Sequence, residues 1–369
     1  MVKVAIIGGG ISGLGAAYLL HKKYDITLYE QESFVGGHSR TIAVETPSGS
    51  TQVDTGFIVF NQRNYPYLSA LFRHLEVPTV KSKMSFGVTI DQGWLEYGTG
   101  SLLSLFGQKR NFLRSEFYGM LRDILFFNRK IQGFVASNPE ATVQECFDGL
   151  KLGTWFQEYY LLAMCGAIWS MSASQIRGFP ASTMIGFLNN HGLLSVNDQP
   201  QWHTVRGGSQ EYVRRLVQPF SDCIRLDSGV RAVKRCANGV EIHDANGACD
   251  HYDQVIFACH SDQALNLIAE PTATEREILG SIRYQNNRVI THADTTFMPQ
   301  NRQAWSSWVY IAEQGTESCL SLSYWMNNLQ PLGVNAPVFV TLNPHRAPDP
   351  NLVYDTHEFA HPVLSLIHI

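Results

Sequence analysis

Three glycines and one acid near the amino end have the types and spacing to hold a dinucleotide. Gly8, Gly10 and Gly13 spell G-x-G-x-x-G, and Glu30 follows about 20 residues beyond the turn. The first glycine permits a tight turn, the second lets backbone amides approach a pyrophosphate, and the third lets a helix touch a strand. Ile11 and Ser12 fall where the helix N-terminus would present amides to phosphate. Glu30 is placed to accept hydrogen bonds from adenosine ribose hydroxyls. Its charge would repel a ribose 2′-phosphate, which disfavours NADP.

The elements that must position these groups can be read around them. Val2 to Ile7 is apolar apart from Lys3, the pattern of a strand buried on both faces of a parallel sheet. Ile11 to Lys23 predicts a helix that packs Leu14, Ala17 and Tyr18 on that sheet. Asp25 to Tyr29 predicts the second strand, delivering Glu30 at its end.

A second glycine pair follows in Val35-Gly36-Gly37-His38-Ser39-Arg40-Thr41, and then Val53-Asp54-Thr55-Gly56-Phe57. At these residues the sequence resembles the flavin-containing amine oxidase superfamily, which includes monoamine oxidases, phytoene desaturases and protoporphyrinogen oxidases. It is most similar to bacterial proteins described only as NAD/FAD-binding. The resemblance implies FAD as cofactor, with Gly36, Gly37 and Arg40 along its pyrophosphate and ribityl chain and Gly56 and Phe57 in the same site. A guanidinium suits phosphate oxygens, and paired glycines let a loop pass close beneath a cofactor. Trp202 to Ser209 resembles the superfamily's glycine segment where the chain re-enters the FAD domain. Strands are then expected at Val230 to Arg235, Gly239 to His243 and Tyr252 to Cys259, with Asn238-Gly239 and Asn246-Gly247 as turns. By resemblance, Val230 contacts adenine through its backbone.

The implied fold is α/β: a Rossmann-like FAD-binding domain of the glutathione-reductase type, interleaved with an α+β substrate domain. The expected divisions are 1–62 and 201–272 for the FAD domain, and 63–200 and 273–346 for the substrate domain. Residues 347–369 read as a truncated tail with non-native last residues, lacking the family's segment that closes over the flavin ring.

Residues 101–135 predict a helical cap, with six basic side chains, Lys109, Arg110, Arg114, Arg122, Arg129 and Lys130, against Glu116 and Asp123. Such a segment is either a solvated helix face or a peripheral membrane contact. Trp169, Phe187, Trp305, Trp308 and Tyr324 are candidate walls of a substrate pocket. His292 is the candidate base or water holder beside them. No lysine follows Lys234, whereas amine oxidases of the superfamily carry one on a strand of the second substrate segment. Gly98-Thr99-Gly100 lacks a third glycine, so no separate NADPH site is expected, and oxygen, a quinone or an unknown acceptor would reoxidise the flavin.

The leading expectation is an FAD-dependent oxidase or desaturase acting on an apolar, fatty-acyl or isoprenoid-like substrate. Proteins of this kind lie beside genes for cyclopropane-type fatty-acid modification, which extends the resemblance to lipid chains. An amine oxidase and a non-catalytic escort protein are the alternatives. At 369 residues, 44% apolar and 16% charged, the chain can bury a large core. A net charge of -4 gives no basic field for nucleic acid. The seven cysteines are odd in number and show no CxxC pair or metal-ligand spacing, so reduced thiols, a cytoplasmic location and no metal are expected. Cys319 reads as a buried, unreactive thiol rather than a flavin attachment point. No signal peptide and no run approaching the roughly 20 apolar residues of a membrane span is evident.

Overall fold

The structure is a computed structural model that describes residues 1–169, 171–195, 199–312 and 321–363. Cys319 and the tail residues 364–369 lie outside them. Along the chain come β1 (Lys3–Ile7), α1 (Ile11–Leu20), β2 (Asp25–Tyr29), β3 (Thr41–Thr46), β4 (Gly49–Asp54), β5 (Phe60–Asn61) and α2 (Pro66–His74). The next elements are β6 (Thr79–Lys81), β7 (Phe86–Ile90), β8 (Leu95–Gly98), α3 (Leu102–Leu105) and α4 (Ser115–Ser137). Short helices then lead to β9 (Trp202–Val205), a helix over Gln210–Val217, and β10 (Ile224–Arg225). The remaining strands are β11 (Val230–Cys236), β12 (Gly239–Asp244), β13 (Cys249–Tyr252), β14 (Gln254–Phe257), β15 (Arg283–His292), β16 (Trp308–Ala312), β17 (Ser321–Trp325), β18 (Phe339–Leu342) and β19 (Val353–Val363).

The first sheet is parallel, in the order β10-β2-β1-β14. The apolar run of β1 is explained by its two covered faces, since side chains alternate across a strand. Val4 and Ile6 pack with Leu14 and Ala17 of α1, while Ala5 and Ile7 pack with Val233, Ile242 and Tyr252 of the β11-β12-β13 meander. The strand expected over Tyr252 to Cys259 divides at Asp253, which accepts from the Lys3 amide at 2.7 Å while its own N–H donates to the Lys3 carbonyl at 3.0 Å. The chain leaves the meander there and enters the sheet beside β1.

The substrate side is a seven-stranded sheet, β19-β15-β18-β17-β16-β7-β8, mixing strands from both halves of the chain. A helical layer packs on it through Phe117, Phe127, Ile131, Phe147 and Phe156, meeting Val88 and Tyr97. The helical cap is three pieces rather than one, because α3 and a short 3-10 turn over Lys109–Leu113 precede α4. Within the segment from residue 347, β19 runs antiparallel along the whole of β15, from Val363 opposite Arg283 to Val353 opposite His292. The β-branched and aromatic residues of 353–363 complete the sheet's backbone hydrogen bonding at that edge.

Candidate cofactor and substrate site

The glycine loop takes its shape from close backbone approach. Gly8 has φ +107°, and a β-carbon on Gly13 would lie 1.9 Å from the Gly8 carbonyl oxygen. Gly10 differs, because a β-carbon there would meet nothing within 4 Å. That open face lies at the start of α1, where no side chain caps the helix and no acid occupies the first turn. Ile11 and Ser12 are exposed at this end. The first-turn amides and the positive end of the helix dipole therefore remain available to an anion.

Three further segments converge here. Gly36 donates its N–H to the Gly9 carbonyl at 2.8 Å, and Gly37, at φ +56°, lies so near Gly10 that its β-carbon would stand 3.1 Å from the Gly10 α-carbon. Glu30 is buried, and its carboxylate accepts from the Gly9 amide at 2.7 Å and the Glu32 amide at 3.0 Å. Ser228 donates its N–H to the Glu30 carbonyl at 2.8 Å, which brings Val230 alongside. Arg40 is committed to a protein carboxylate: Nη1 and Nη2 reach Asp355 at 2.8 and 3.1 Å.

Beyond the loop lies a cavity of about 510 Å³. Gly56 and Phe57 line it, together with Phe187, Trp308 and Tyr324 of the expected aromatic wall. Gly56 must be small, since a β-carbon would fall 2.2 Å from the His38 carbonyl oxygen. Trp169 stands behind the wall, its ring 4.9 Å from that of Phe187, and lines a smaller neighbouring cavity of about 230 Å³. Trp305 does not reach either cavity. It packs in the core, 5.2 Å from Trp325 and 5.7 Å from Phe339, with Nε1 donating to the Pro299 carbonyl.

His292 does not reach the cavity either. It is fully buried, outside the cavity, with Nε2 2.7 Å from Thr341 Oγ1 and Nδ1 accepting from the Asp294 amide at 3.1 Å. Both ring nitrogens are used within the sheet, and burial pushes its pKa down to about 4. His292 is a structural residue, not the base.

The site's histidines come from elsewhere. His38 stacks on Phe359 at 4.9 Å and on His361 at 5.2 Å, with His260 6.0 Å away. His38 and His361 both line the cavity. His361 Nδ1 accepts from the Asn287 amide nitrogen at 2.6 Å. His38 hydrogen-bonds the Ala360 backbone, while its Nε2 is buried with no partner. Burial, followed by repulsion from His361 and His260, lowers the His38 pKa to about 4, so the ring is neutral at pH 7. Only its place after Gly36-Gly37 hinted at this in the sequence. His361 and His260 carry no local signal.

Among the described residues lining the larger cavity there is no aspartate, glutamate, lysine or arginine. The open face at Gly10, the uncapped helix, Glu30 beside Val230 and the idle His38 Nε2 together fit a long flavin dinucleotide running from α1 to the cavity.

The family profile for flavin-containing amine oxidoreductases matches residues 11–350. This chain belongs to that family. It is an FAD-dependent oxidoreductase by family membership, and the nucleotide-binding geometry fits that cofactor. Similar folds include an oxidoreductase from Methanosarcina mazei, with TM-score 0.65 and 13% identity over 97% of this chain and 88% of that one. Cyclohexylamine oxidase from Brevibacterium oxydans aligns with TM-score 0.63 and 14% identity over 98% and 84%. A fatty acid isomerase from P. acnes that produces CLA aligns with TM-score 0.60 and 14% identity over 98% and 86%. These likenesses bear on the fold. A search of curated proteins returned no match.

Proposed function

We propose that this flavin-containing amine oxidoreductase family member oxidises an apolar, lipid-like substrate of the fatty-acyl or isoprenoid kind. The observation that carries this reading is the absence of charged side chains among the described residues that line the 510 Å³ cavity. A protonated amine there would be buried without a counter-charge, at a cost of several kcal/mol, roughly the penalty for an unpaired ion in a protein interior. An alkyl chain gains about 25 cal/mol for each Å² of apolar surface removed from water.

FAD, when bound, supplies a two-electron acceptor for a hydride. The protein positions the carbon that gives it up. Phe187, Trp308 and Tyr324 hold the chain and exclude water. His38, neutral at pH 7, lines the cavity as the candidate proton acceptor. Oxygen, a quinone or another acceptor takes the electrons onward.

A membrane supplies such substrates, and the surface around α3 and α4 suits contact with one. Leu102, Leu103 and Leu113 are 78%, 76% and 90% exposed, an arrangement a solvated face does not need. Lys109 and Arg110 of the same segment and Arg122, Arg129 and Lys130 along α4 are exposed, as an anionic bilayer would favour. Thr99, three residues before Leu102, lines the cavity. Among the described residues no helix is long and apolar enough to cross a membrane.

The test is anaerobic bleaching of the bound flavin by a panel of unsaturated fatty acids, isoprenoids and amines. Bleaching by lipids supports the reading, and bleaching by amines alone overturns it.

A further inference from the structure

Outside the cavity lining, the outer face of the β11-β12-β13 meander carries soft and borderline ligands brought together by strand pairing. Glu241 and His243 are two apart on β12 and so share a face. His243 stands directly opposite Cys249 on β13, and Glu241 opposite His251. The inward residue between them, Ile242, is core, so this ligand face is the outward one.

Two of the three distances are those of a coordination sphere. His243 Nε2 lies 3.7 Å from Glu241 Oε2 and 3.8 Å from Cys249 Sγ, and all three ligand atoms fall within 4.8 Å of one another. In a tetrahedral zinc site, with bonds of about 2.0–2.3 Å, ligand atoms stand roughly 3.3–3.8 Å apart. The observed spacings therefore need little movement to admit an ion. The charges also match, since one thiolate and one carboxylate neutralise a divalent cation and a neutral imidazole completes the protein set. Cys236, on the same face of β11, donates to the Lys234 carbonyl at 3.7 Å and stands outside the ligand set.

We propose that Glu241, His243 and Cys249 form a site for one borderline-soft divalent cation of the zinc type, with water in the fourth position. The site is exposed, as its side chains show, and it ties β12 to β13. Its effect on the enzyme is structural. Asp250, next to Cys249, receives Arg225 Nη1 at 2.5 Å and the Tyr29 hydroxyl at 3.0 Å, so an ion at Cys249 steadies the meander where it meets the end of β2. This proposal stands apart from the assignment of substrate.

The experiment uses the full chain with its flavin bound, stripped of metal by a chelator. Zn²⁺ is titrated by calorimetry, and Co²⁺ by its thiolate charge-transfer and long-wavelength bands. One equivalent of each should bind, Co²⁺ should show a thiolate ligand, and Zn²⁺ should protect Cys249 from alkylation. Cys249→Ser and His243→Gln should each weaken Zn²⁺ at least about 100-fold, beyond the loss of an outer-sphere partner, with the flavin spectrum unchanged. Cys223→Ser, in a different part of the chain, should bind as the parent does. Failure to bind one equivalent, or binding equally tight in Cys249→Ser and His243→Gln, overturns the proposal.

Discussion

Arg40 and Asp355 form a two-point ion pair, at 2.8 and 3.1 Å, that joins the second glycine loop to the edge strand of the substrate sheet. The pair is partly buried, with side-chain exposures of 16% and 24%. A double-mutant cycle of Arg40→Ala and Asp355→Ala, read by urea unfolding, should give a coupling of about 1–2 kcal/mol, above that of an exposed pair. Flavin affinity separates the two uses of the guanidinium. If Arg40 also serves the cofactor, Arg40→Ala should lose flavin at least about tenfold more than Asp355→Ala, whereas equal losses assign the arginine to the ion pair.

Gly10→Ala and Gly13→Ala should fail differently. The first places a methyl in open space, so the chain should unfold at the parental urea midpoint while flavin binds at least about tenfold more weakly. The second drives a methyl into the Gly8 carbonyl, so stability itself should fall, by about 2 kcal/mol or more. Urea midpoints and flavin titration on both variants check this.

Acid should destabilise the protein partly through His38. Its folded pKa, near 4, lies below the ordinary 6.5. Stability from this group is therefore complete above pH 6.5 and is lost as pH falls from there toward 4, because the unfolded chain takes up the proton first. Asp54 opposes the trend, since burial raises its pKa to about 6 despite donors from Thr41, Ser209 and Gln330. The variant His38→Phe isolates the histidine. Its loss of unfolding free energy between pH 7 and 5 should be smaller than the parent's by on the order of 1 kcal/mol.

Filling the cavity should block substrate without disturbing the nucleotide end. Met164 lines the cavity and is itself buried. With Met164→Trp, flavin should still bind, and its anaerobic reduction by the best lipid of the panel should slow at least about tenfold. Unchanged reduction would place the substrate elsewhere.

The exposed leucines make a prediction about surfaces. Leu113→Glu should reduce flotation with vesicles containing anionic phosphatidylserine, and neutral vesicles should bind the parent less well than anionic ones. Parental flotation by the variant would return this face to solvent.

The nucleotide end was legible because its constraints are local. Gly8, Gly10, Gly13 and Glu30 lie on one strand-helix-strand unit, and spacing alone nearly determines their geometry. The substrate end depends on which face of a strand is turned inward and toward which layer. Trp308 and Tyr324 face each other across β16 and β17 at the cavity, while Trp305, three residues before Trp308, points into the core. His292 has the chemistry of a base, but Thr341 on the neighbouring strand consumes it. His38 and His361 meet across more than 300 residues, and the Glu241, His243 and Cys249 cluster arises from register. Neither arrangement leaves a pattern in the linear sequence.

The order β2-β1-β14 has a consequence for biosynthesis. One edge of β1 is covered by its neighbour in sequence, but the other waits for Gln254 to Phe257, some 250 residues downstream. At translation rates of about 5–20 residues per second, the apolar strand that carries the glycine loop stays half-paired on the ribosome for roughly 10–50 s. Contacts so distant in sequence also slow folding once the chain is released. The nucleotide pocket, although encoded first, thus stays open until Phe257 has been made, and abundant flavin during synthesis should raise the yield of folded, yellow protein.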